Sequence, residues 1–195
     1  SDYIACGYTN LPDSNEARSI SFWILSDDFP QNDAFDANQG FSYGTATDGA
    51  ANEVYFWRSG EDYLRYSGFG AANNLDVTVS YAVQSWYHVA TTYDGTTASV
   101  YFNGDLVSSG AFPGWNTVLD SVLFGTYPSR LNYHQGKIDD AGIWSRVLET
   151  CEIQDLFNAG AQGISPTPVS YSGLNTSYLT SDSPVLLSGT PAGGV

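Results

Sequence analysis

Hydrophobic and polar residues alternate along most of the chain, in short segments that are separated by turn residues. Residues 19–25 place Ile20, Phe22 and Ile24 on one side of a strand, and residues 86–93 alternate in the same way. An alternation of period two is typical of half-buried β-strands. Further strands are predicted at residues 53–57, 63–66, 75–81, 118–124 and 137–144.

Turn residues join three of the predicted strands into a meander. The dipeptide Asp-Gly at 94–95 precedes residues 98–102, and Asn-Gly at 103–104 precedes residues 106–107. Both dipeptides tolerate the positive φ angles of tight hairpin turns. The fold class predicted from the whole pattern is therefore all-β.

A helical period occurs convincingly in one place, at residues 149–158. Ile153, Leu156 and Phe157 fall at positions i, i+3 and i+4, which predicts a short helix with one apolar side. We expect that side to pack on the sheets, and we expect Gly160 to end the helix.

The composition changes near the carboxyl end, where two prolines lie in a short linker before a stretch rich in Ser, Thr and Gly. We expect one domain over residues 1–162, a linker over 163–168 and a second domain over 169–195. The second domain is expected to be truncated, because about 30 residues cannot form a stable sandwich alone. The chain contains no Met, and we interpret it as a mature or excised piece of a longer protein.

The charge of the chain excludes several partners. Six Lys and Arg stand against 21 Asp and Glu, so the formal net charge is -15. Such a surface repels phosphates, and we expect neither nucleic acid nor an anionic membrane as a partner. No segment approaches the roughly 20 apolar residues that span a bilayer, so membrane insertion is not expected. Only 14% of the residues are charged, and this uncharged polar composition is typical of β-sandwiches outside the cell.

The two cysteines, Cys6 and Cys151, leave two alternatives open. They suit one disulfide, but two unpaired buried thiols give the same count. We favour the disulfide, and hence an oxidising compartment, because the surface is acidic and poor in Lys.

Asp dominates the acidic residues, since only five of the 21 are Glu. Asp139 and Asp140 are adjacent on a predicted strand, so their side chains are expected on opposite faces. At least one is expected near the interior or a covered edge, where either a cation or hydrogen-bond donors must meet it. Residues 33–40 also space oxygen atoms as a calcium loop does, although they lack the EF-hand spacing.

The aromatic content favours sugar binding. Five Trp, 14 Tyr and 10 Phe exceed what a core of this size requires, so several rings are expected at the surface. Flat rings suit the C–H face of a pyranose, and polar groups suit its hydroxyls. The candidate ligand-binding residues are Trp57, Trp115, Tyr127, Tyr133 and His134. Trp115 is expected at a loop tip, although for each candidate alone a core or ordinary surface position is favoured. His88 is interpreted as a packed, hydrogen-bonded residue.

Four stretches together resemble the LamG-like group of concanavalin A-like jelly rolls, namely residues 2–4, 18–24, 86–104 and 136–153. They are similar to the first strand, the second strand, the central hairpin, and the last strand with the closing helix of that group. The resemblance implies a two-sheet antiparallel jelly-roll β-sandwich with one short helix near its end.

The resemblance also implies two structural features. In that fold the terminal elements lie side by side, which implies a disulfide between Cys6 and Cys151. It further points to a structural calcium ion near the first strand and the Asp pair, with Asp2, Asp139 and Asp140 as ligands.

A second resemblance concerns the tail. Residues 187–194 are similar to the start of the Ig-like repeats in large secreted adhesins of Bacteroidetes. This resemblance implies a multidomain secreted or cell-surface protein, in which neighbouring domains of the same chain are partners.

The sequence carries no catalytic pattern of this fold. The hydrolases that the chain resembles carry Glu-x-Asp-x-x-Glu, and no Glu here begins that pattern. The lyases of the fold use a basic groove, which six cations in the whole chain do not favour. We therefore predict a non-catalytic carbohydrate-binding or adhesion module that contacts a glycan or polysaccharide. The alternatives are a structural spacer in a long adhesin and, less favoured, a polysaccharide-degrading enzyme.

Overall fold

The computed structural model describes residues 3–28, 38–59, 61–70, 74–129 and 133–161, apart from the side chains of 57–59 and 61. In chain order the elements are β1 (Ile4–Cys6), β2 (Arg18–Ser26), β3 (Asn38–Gly44), β4 (Ala51–Ser59), β5 (Glu61–Ser67), β6 (Asn74–Thr78), β7 (Trp86–Tyr93), β8 (Thr97–Phe102), β9 (Asp105–Ala111), β10 (Val122–Phe124), β11 (Gly136–Trp144) and α1 (Thr150–Ala161). The predicted linker and second domain lie outside the described residues, as do residues 33–37 of the candidate calcium loop.

The strands form two antiparallel sheets, as the alternating pattern predicts. One sheet has six strands in the order β1-β10-β3-β4-β5-β6, and the other has five in the order β11-β2-β7-β8-β9. The chain passes from one sheet to the other several times, which produces the expected jelly-roll sandwich.

The core lies between the inner faces of the two sheets. Alternation along β2 turns Ile20, Phe22 and Ile24 inward, and all three are buried. The ring of Phe22 meets the ring of Phe41 from β3, with centroids 6.4 Å apart. Burying one side chain of this size contributes about 1.5–3 kcal/mol, so these inner faces stabilise the sandwich.

Arg18 is buried in the core, and among the described residues no carboxylate pairs with it. Its guanidinium donates hydrogen bonds to the hydroxyls of Tyr43, at 3.0 Å, and Thr117, at 2.6 Å, and to two backbone carbonyls. The guanidinium carbon also lies 5.1 Å from the ring centroid of Tyr93 and 5.8 Å from that of Trp115. Hydrogen-bond acceptors and aromatic faces therefore replace a counter-ion here.

Helix α1 packs on the outer face of the five-stranded sheet. Ile153 is fully buried in one cluster with Ala90 of β7 and Tyr101 of β8. The ring of Phe157 stacks on Trp23 of β2 at 5.7 Å. No helix among the described residues is long and apolar enough to cross a membrane.

The start of α1 agrees with the prediction, but the predicted end is wrong. The Glu152 carboxylate accepts a hydrogen bond from the backbone N–H of Glu149 at 2.8 Å, which caps the first turn. The helix continues through Gly160 to Ala161. Gly160 is needed for close packing instead, because a Cβ at this position would run into the indole of Trp23.

Two strands differ from the sequence-based expectation. The pattern does not predict β3, which contains two glycines and is buried along its whole length. The strand predicted over 118–124 is confined to β10, and residues 118–121 form a loop.

Cys6 and Cys151 are free thiols, so the predicted disulfide is wrong. β1 pairs with β10 at an edge of the six-stranded sheet, whereas α1 packs on the outer face of the other sheet. The first strand and the closing helix therefore lie on different sheets rather than side by side. Cys6 packs against the core, and Cys151 is exposed on the helix.

Candidate functional site

The outer face of the six-stranded sheet combines charged, polar and aromatic side chains. Because Val54, Leu64 and Val77 point into the core, the residues next to them along each strand point outward. Pairing of β4, β5 and β6 aligns three rows of positions: Glu53, Ser67 and Asn74; Tyr55, Arg65 and Asp76; and Trp57, Tyr63 and Thr78. The outer-face site is defined as the side chains of Glu53, Tyr55, Tyr63, Arg65 and Asp76.

Arg65 forms hydrogen bonds to both other residues of the middle row, Tyr55 and Asp76. Its guanidinium donates two hydrogen bonds to the Asp76 carboxylate, at 2.5 and 2.6 Å, and a longer one of 3.3 Å to the Tyr55 hydroxyl. The guanidinium carbon lies 5.9 Å from the centroid of the Tyr55 ring. The side chains of Arg65 and Asp76 are 18% and 35% exposed. A two-pronged pair is directional, so these groups have fixed positions at a surface that a ligand can reach.

Glu53 lies at the buried end of the site. The residue is 4% exposed, and its Oε1 atom has no hydrogen-bond partner. Ser42 of β3 and Ser67 of β5 are its cross-strand neighbours. The Ser42 hydroxyl donates to the backbone carbonyl of Thr126, and the Ser67 hydroxyl donates to the Asn74 side chain. Neither hydroxyl proton is therefore left for Glu53.

The surroundings of Glu53 keep its carboxyl group neutral. Burial raises the pKa of Glu53 to about 8, and the positive charge of Arg65 offsets only part of this effect. The group is therefore mostly protonated at pH 7. Burial and, to a smaller extent, the Glu53 charge raise the pKa of Tyr127, whose ring stacks near that of Phe69 at 6.5 Å. Tyr127 and Phe69 thus border this end of the site.

Two of the five predicted ligand-binding residues lie on or beside this sheet face. Tyr127 borders Glu53, as just described. Trp57 lies on β4 and pairs with Tyr63 of β5, which places it in the third row. Its side chain lies outside what the structure describes.

Tyr133 and His134 lie away from the outer-face site. The ring of Tyr133 is 6.3 Å from that of Tyr3, beside the edge strand β1. The Nε2 atom of His134 lies 3.0 Å from the backbone carbonyl oxygen of Leu25 in the other sheet. Burial lowers the pKa of His134, which favours a neutral ring. The structure therefore does not bring these two residues to the site.

Trp115 is buried, so the prediction of an exposed ring at a loop tip is wrong. Its side chain is 1% exposed, and its indole N–H donates to the backbone carbonyl of Ala51 at 2.6 Å. Its ring packs against Tyr66 at 4.8 Å and Tyr93 at 4.9 Å. Gly114, with a φ of 92°, supplies the left-handed conformation before the ring enters the core.

A small cavity lies between α1 and the five-stranded sheet, and Ser21, His88 and Asp140 are among its lining residues. The Ser21 hydroxyl lies 2.8 Å from Nε2 of His88, whereas Nδ1 is buried without a partner. Burial lowers the pKa of His88 to about 4, so the ring is neutral at pH 7. A volume of about 20 Å³ holds at most a water molecule, so this Ser-His pair cannot act on a substrate. The interpretation of His88 as packed and hydrogen-bonded is confirmed.

The described residues do not fit a calcium ion at the Asp pair. Asp139 and Asp140 are both exposed on the edge strand β11, although Asp140 also lines the small cavity beside α1, and the register shifts between Asp139 and Gly142. The Asp139 carboxylate accepts a hydrogen bond from the backbone N–H of Asp140 at 2.9 Å. Within the described ranges, no group of three or more His, Cys, Asp or Glu side chains could hold a metal ion. Asp2 lies outside those ranges.

The strand order, the two sheets and the closing helix agree with a known family. Over residues 1–154 the sequence matches the Laminin_G_3 family model, which describes the concanavalin A-like lectin/glucanases superfamily. The chain belongs to this superfamily. The LamG-like resemblance is thereby confirmed, whereas the Ig-like resemblance of residues 187–194 stays a prediction. No curated protein matches the sequence.

Many solved structures are similar to this superfamily member, including the following three. Domain 4 of AbnA, a GH43 extracellular arabinanase from Geobacillus stearothermophilus in complex with arabinotriose, is 21% identical, with a TM-score of 0.56 over 75% of this chain and 68% of that chain. A putative carbohydrate-binding protein from Bacteroides ovatus is 20% identical, with a TM-score of 0.59 over 78% and 43%. The CBM40 of the Ruminococcus gnavus IT-sialidase, bound to α2,3-sialyllactose, is 16% identical, with a TM-score of 0.55 over 80% and 97%. At these identities the similarity shows the fold alone.

Proposed function

We propose that this domain is a non-catalytic carbohydrate-binding module and that it binds its glycan on the outer-face site. The observation that carries the proposal is the middle row, in which Arg65 fixes Tyr55 and Asp76 at a partly exposed surface. A tyrosine ring suits the C–H side of a sugar, and the charged groups suit its hydroxyls. Two of the similar structures contain arabinotriose or α2,3-sialyllactose, which supports a glycan as the partner.

The carboxyl groups of the site favour binding over hydrolysis. Glycoside hydrolysis uses two carboxyl groups that both reach the scissile bond. Both Asp76 oxygens accept hydrogen bonds from Arg65, and Glu53 is almost fully buried. Among the described side chains of this face, no pair remains for acid and base roles.

We propose that the module acts outside the cell, as part of a larger secreted or cell-surface protein. The acidic, Lys-poor composition and the repeat-like residues 187–194 support this location. The similar AbnA domain belongs to an extracellular enzyme. Neighbouring domains of the same chain are then its covalent partners.

A glycan array with the full 195-residue chain tests the proposed function. We expect binding that is lost in Tyr55→Ala and kept in Trp86→Ala, which removes an exposed ring from the other sheet. Both variants should melt close to the wild-type temperature. Absence of binding to any of the broad polysaccharide classes on the array would favour the structural spacer. Binding lost only in Trp86→Ala would contradict the outer-face site.

Calcium remains a proposal that rests on the family resemblance. Its test is the melting temperature in the presence of a chelator, because an ion bound only by the folded state stabilises it by mass action. A fall that added calcium reverses supports a bound ion. An unchanged melt contradicts it.

A further inference from the structure

The buried end of the outer-face site indicates which class of glycan it takes. On the basis of the proposed binding function, we propose that Glu53 serves there as a neutral carboxylic acid and that the site selects uncharged saccharides over anionic ones.

The hydrogen bonds around Glu53 leave its Oε1 atom without a donor. Its Oε1 atom is buried without a partner, and the hydroxyl protons of Ser42 and Ser67 are donated elsewhere. A buried carboxylate oxygen without a donor makes the charged form costly in free energy, whereas a protonated carboxyl group lacks that charge. The geometry therefore favours the acid form, in agreement with the raised pKa of this group.

The other titratable groups that act on Glu53 add no net charge to the site. From β5, Arg65 carries a positive charge, but both prongs of its guanidinium are bound to Asp76 of β6. From β4 and the loop after β10, Tyr55 and Tyr127 stay neutral, because burial raises the pKa of each hydroxyl. The cation and the anion of the site thus cancel each other.

A neutral carboxyl group complements a sugar hydroxyl, because each of them both donates and accepts a hydrogen bond. An anionic sugar instead needs a cation whose donors are not already used, and Arg65 is occupied by Asp76. The formal net charge of -15 also repels anionic ligands before they reach the surface. The occupied Arg65 and the net negative charge therefore both favour neutral over anionic saccharides.

The approach to Glu53 is placed beside Tyr127, because burial and, to a smaller extent, the Glu53 charge raise the pKa of the Tyr127 hydroxyl. The Tyr127 ring is partly exposed and lies in the loop after β10, and the Phe69 ring stacks against it with centroids 6.5 Å apart.

The test is a glycan array that presents neutral oligosaccharides beside their sialylated or uronate-containing counterparts, followed by calorimetric titration of the best neutral binder. We expect the neutral members to bind more tightly than their anionic counterparts. Their affinity should fall roughly tenfold or more between about pH 6 and about pH 9.5, because the acid ionises over this range. Glu53→Gln should bind with little pH dependence, since an amide donates and accepts but does not ionise. Glu149→Gln, at an exposed position before α1, is the matched control and should keep the wild-type pH profile.

The outcomes separate this inference from the proposed function. Tighter binding of the anionic members would overturn the ligand class and leave glycan binding in place. If neutral saccharides bind with the same pH profile to the wild type and to Glu53→Gln, the proposed role of Glu53 is overturned. Absence of all glycan binding contradicts the proposed function, and the ligand class with it.

Discussion

Arg65 and Asp76 are joined across β5 and β6 by two hydrogen bonds, of 2.5 and 2.6 Å, so the cation of the outer-face site is neutralised within the sheet. Solvent-exposed ion pairs typically contribute about 0.2–1 kcal/mol to stability, and this pair is partly exposed. The main effect of this pair is therefore on the charge and geometry of the surface.

Asp76→Asn should change ligand selection more than stability. The substitution leaves the Arg65 charge uncompensated, so binding of α2,3-sialyllactose should increase several-fold over the wild-type chain. The melting temperature should change little. Glu152→Gln removes the partner of Arg146 far from the site and should leave sialyllactose binding unchanged. Equal sialyllactose affinities in wild type and Asp76→Asn, measured by calorimetry, would count against the charge balance proposed here.

Glu53→Gln should remove a pH dependence of stability. The folded-state pKa of Glu53 is about 8, above the ordinary value of 4.5. Between about pH 4.5 and pH 8, the folded chain therefore keeps a proton on Glu53 that the unfolded chain has lost. The stabilisation is fully present below about pH 4.5 and is lost as pH rises through about 8. The loss amounts to at most about 5 kcal/mol. Urea unfolding of the wild type at several pH values should show this decline, and Glu53→Gln should not. Parallel curves for the two proteins would show that Glu53 ionises normally.

His88 should make the free energy of unfolding rise with pH, opposite to the effect of Glu53, and over a lower pH range. Its folded-state pKa of about 4 lies below the ordinary value of 6.5, so the unfolded chain binds the extra proton between them. Stability from the neutral ring is present above about pH 6.5 and is lost as pH falls through about 4, by at most about 3 kcal/mol.

This prediction is best measured in the Glu53→Gln background, because Glu53 has the opposite slope over part of the range. Adding His88→Gln should flatten the remaining decline toward low pH. If the decline persists unchanged in the double variant, other groups cause it.

The sequence predicts strands best where one face is buried. β2 and β7 alternate clearly and were predicted within a few residues of their observed ends. β3 is buried on both faces and contains glycines, so no period of two is visible in it. Gly160 resembles a helix stop, and only its contact with Trp23 in a distant strand shows its packing role.

The outer-face site could not be assembled from the sequence alone. Glu53, Arg65 and Asp76 lie on three strands, and their proximity follows from the pairing register, which a single sequence does not reveal. Trp115 was misplaced for a related reason. The residues that bury it, such as Tyr66 and Tyr93, are distant in the chain.

Arg18→Leu should be strongly destabilising. The substitution removes the donor that the hydroxyls of Tyr43 and Thr117 and two partly buried backbone carbonyls share. Each acceptor left without a donor costs about 1–3 kcal/mol, so we expect a loss of about 3–5 kcal/mol in the free energy of unfolding. Arg146→Leu, which removes an exposed ion pair with Glu152, is the control and should cost about 1 kcal/mol or less. Similar losses in the two variants, measured by urea unfolding, would contradict the role of Arg18 in the core.

NMR mapping of the backbone amides of the full chain, during titration with the best neutral binder from the array, tests most directly whether the outer-face site holds the glycan. The largest shift changes should cluster on β4, β5 and β6, around Tyr55, Arg65 and Asp76. Trp86 on the other sheet and the residues of α1 should stay unchanged. Shift changes confined to α1 and β11, with the outer-face site unaffected, would place the glycan elsewhere and rule out this site.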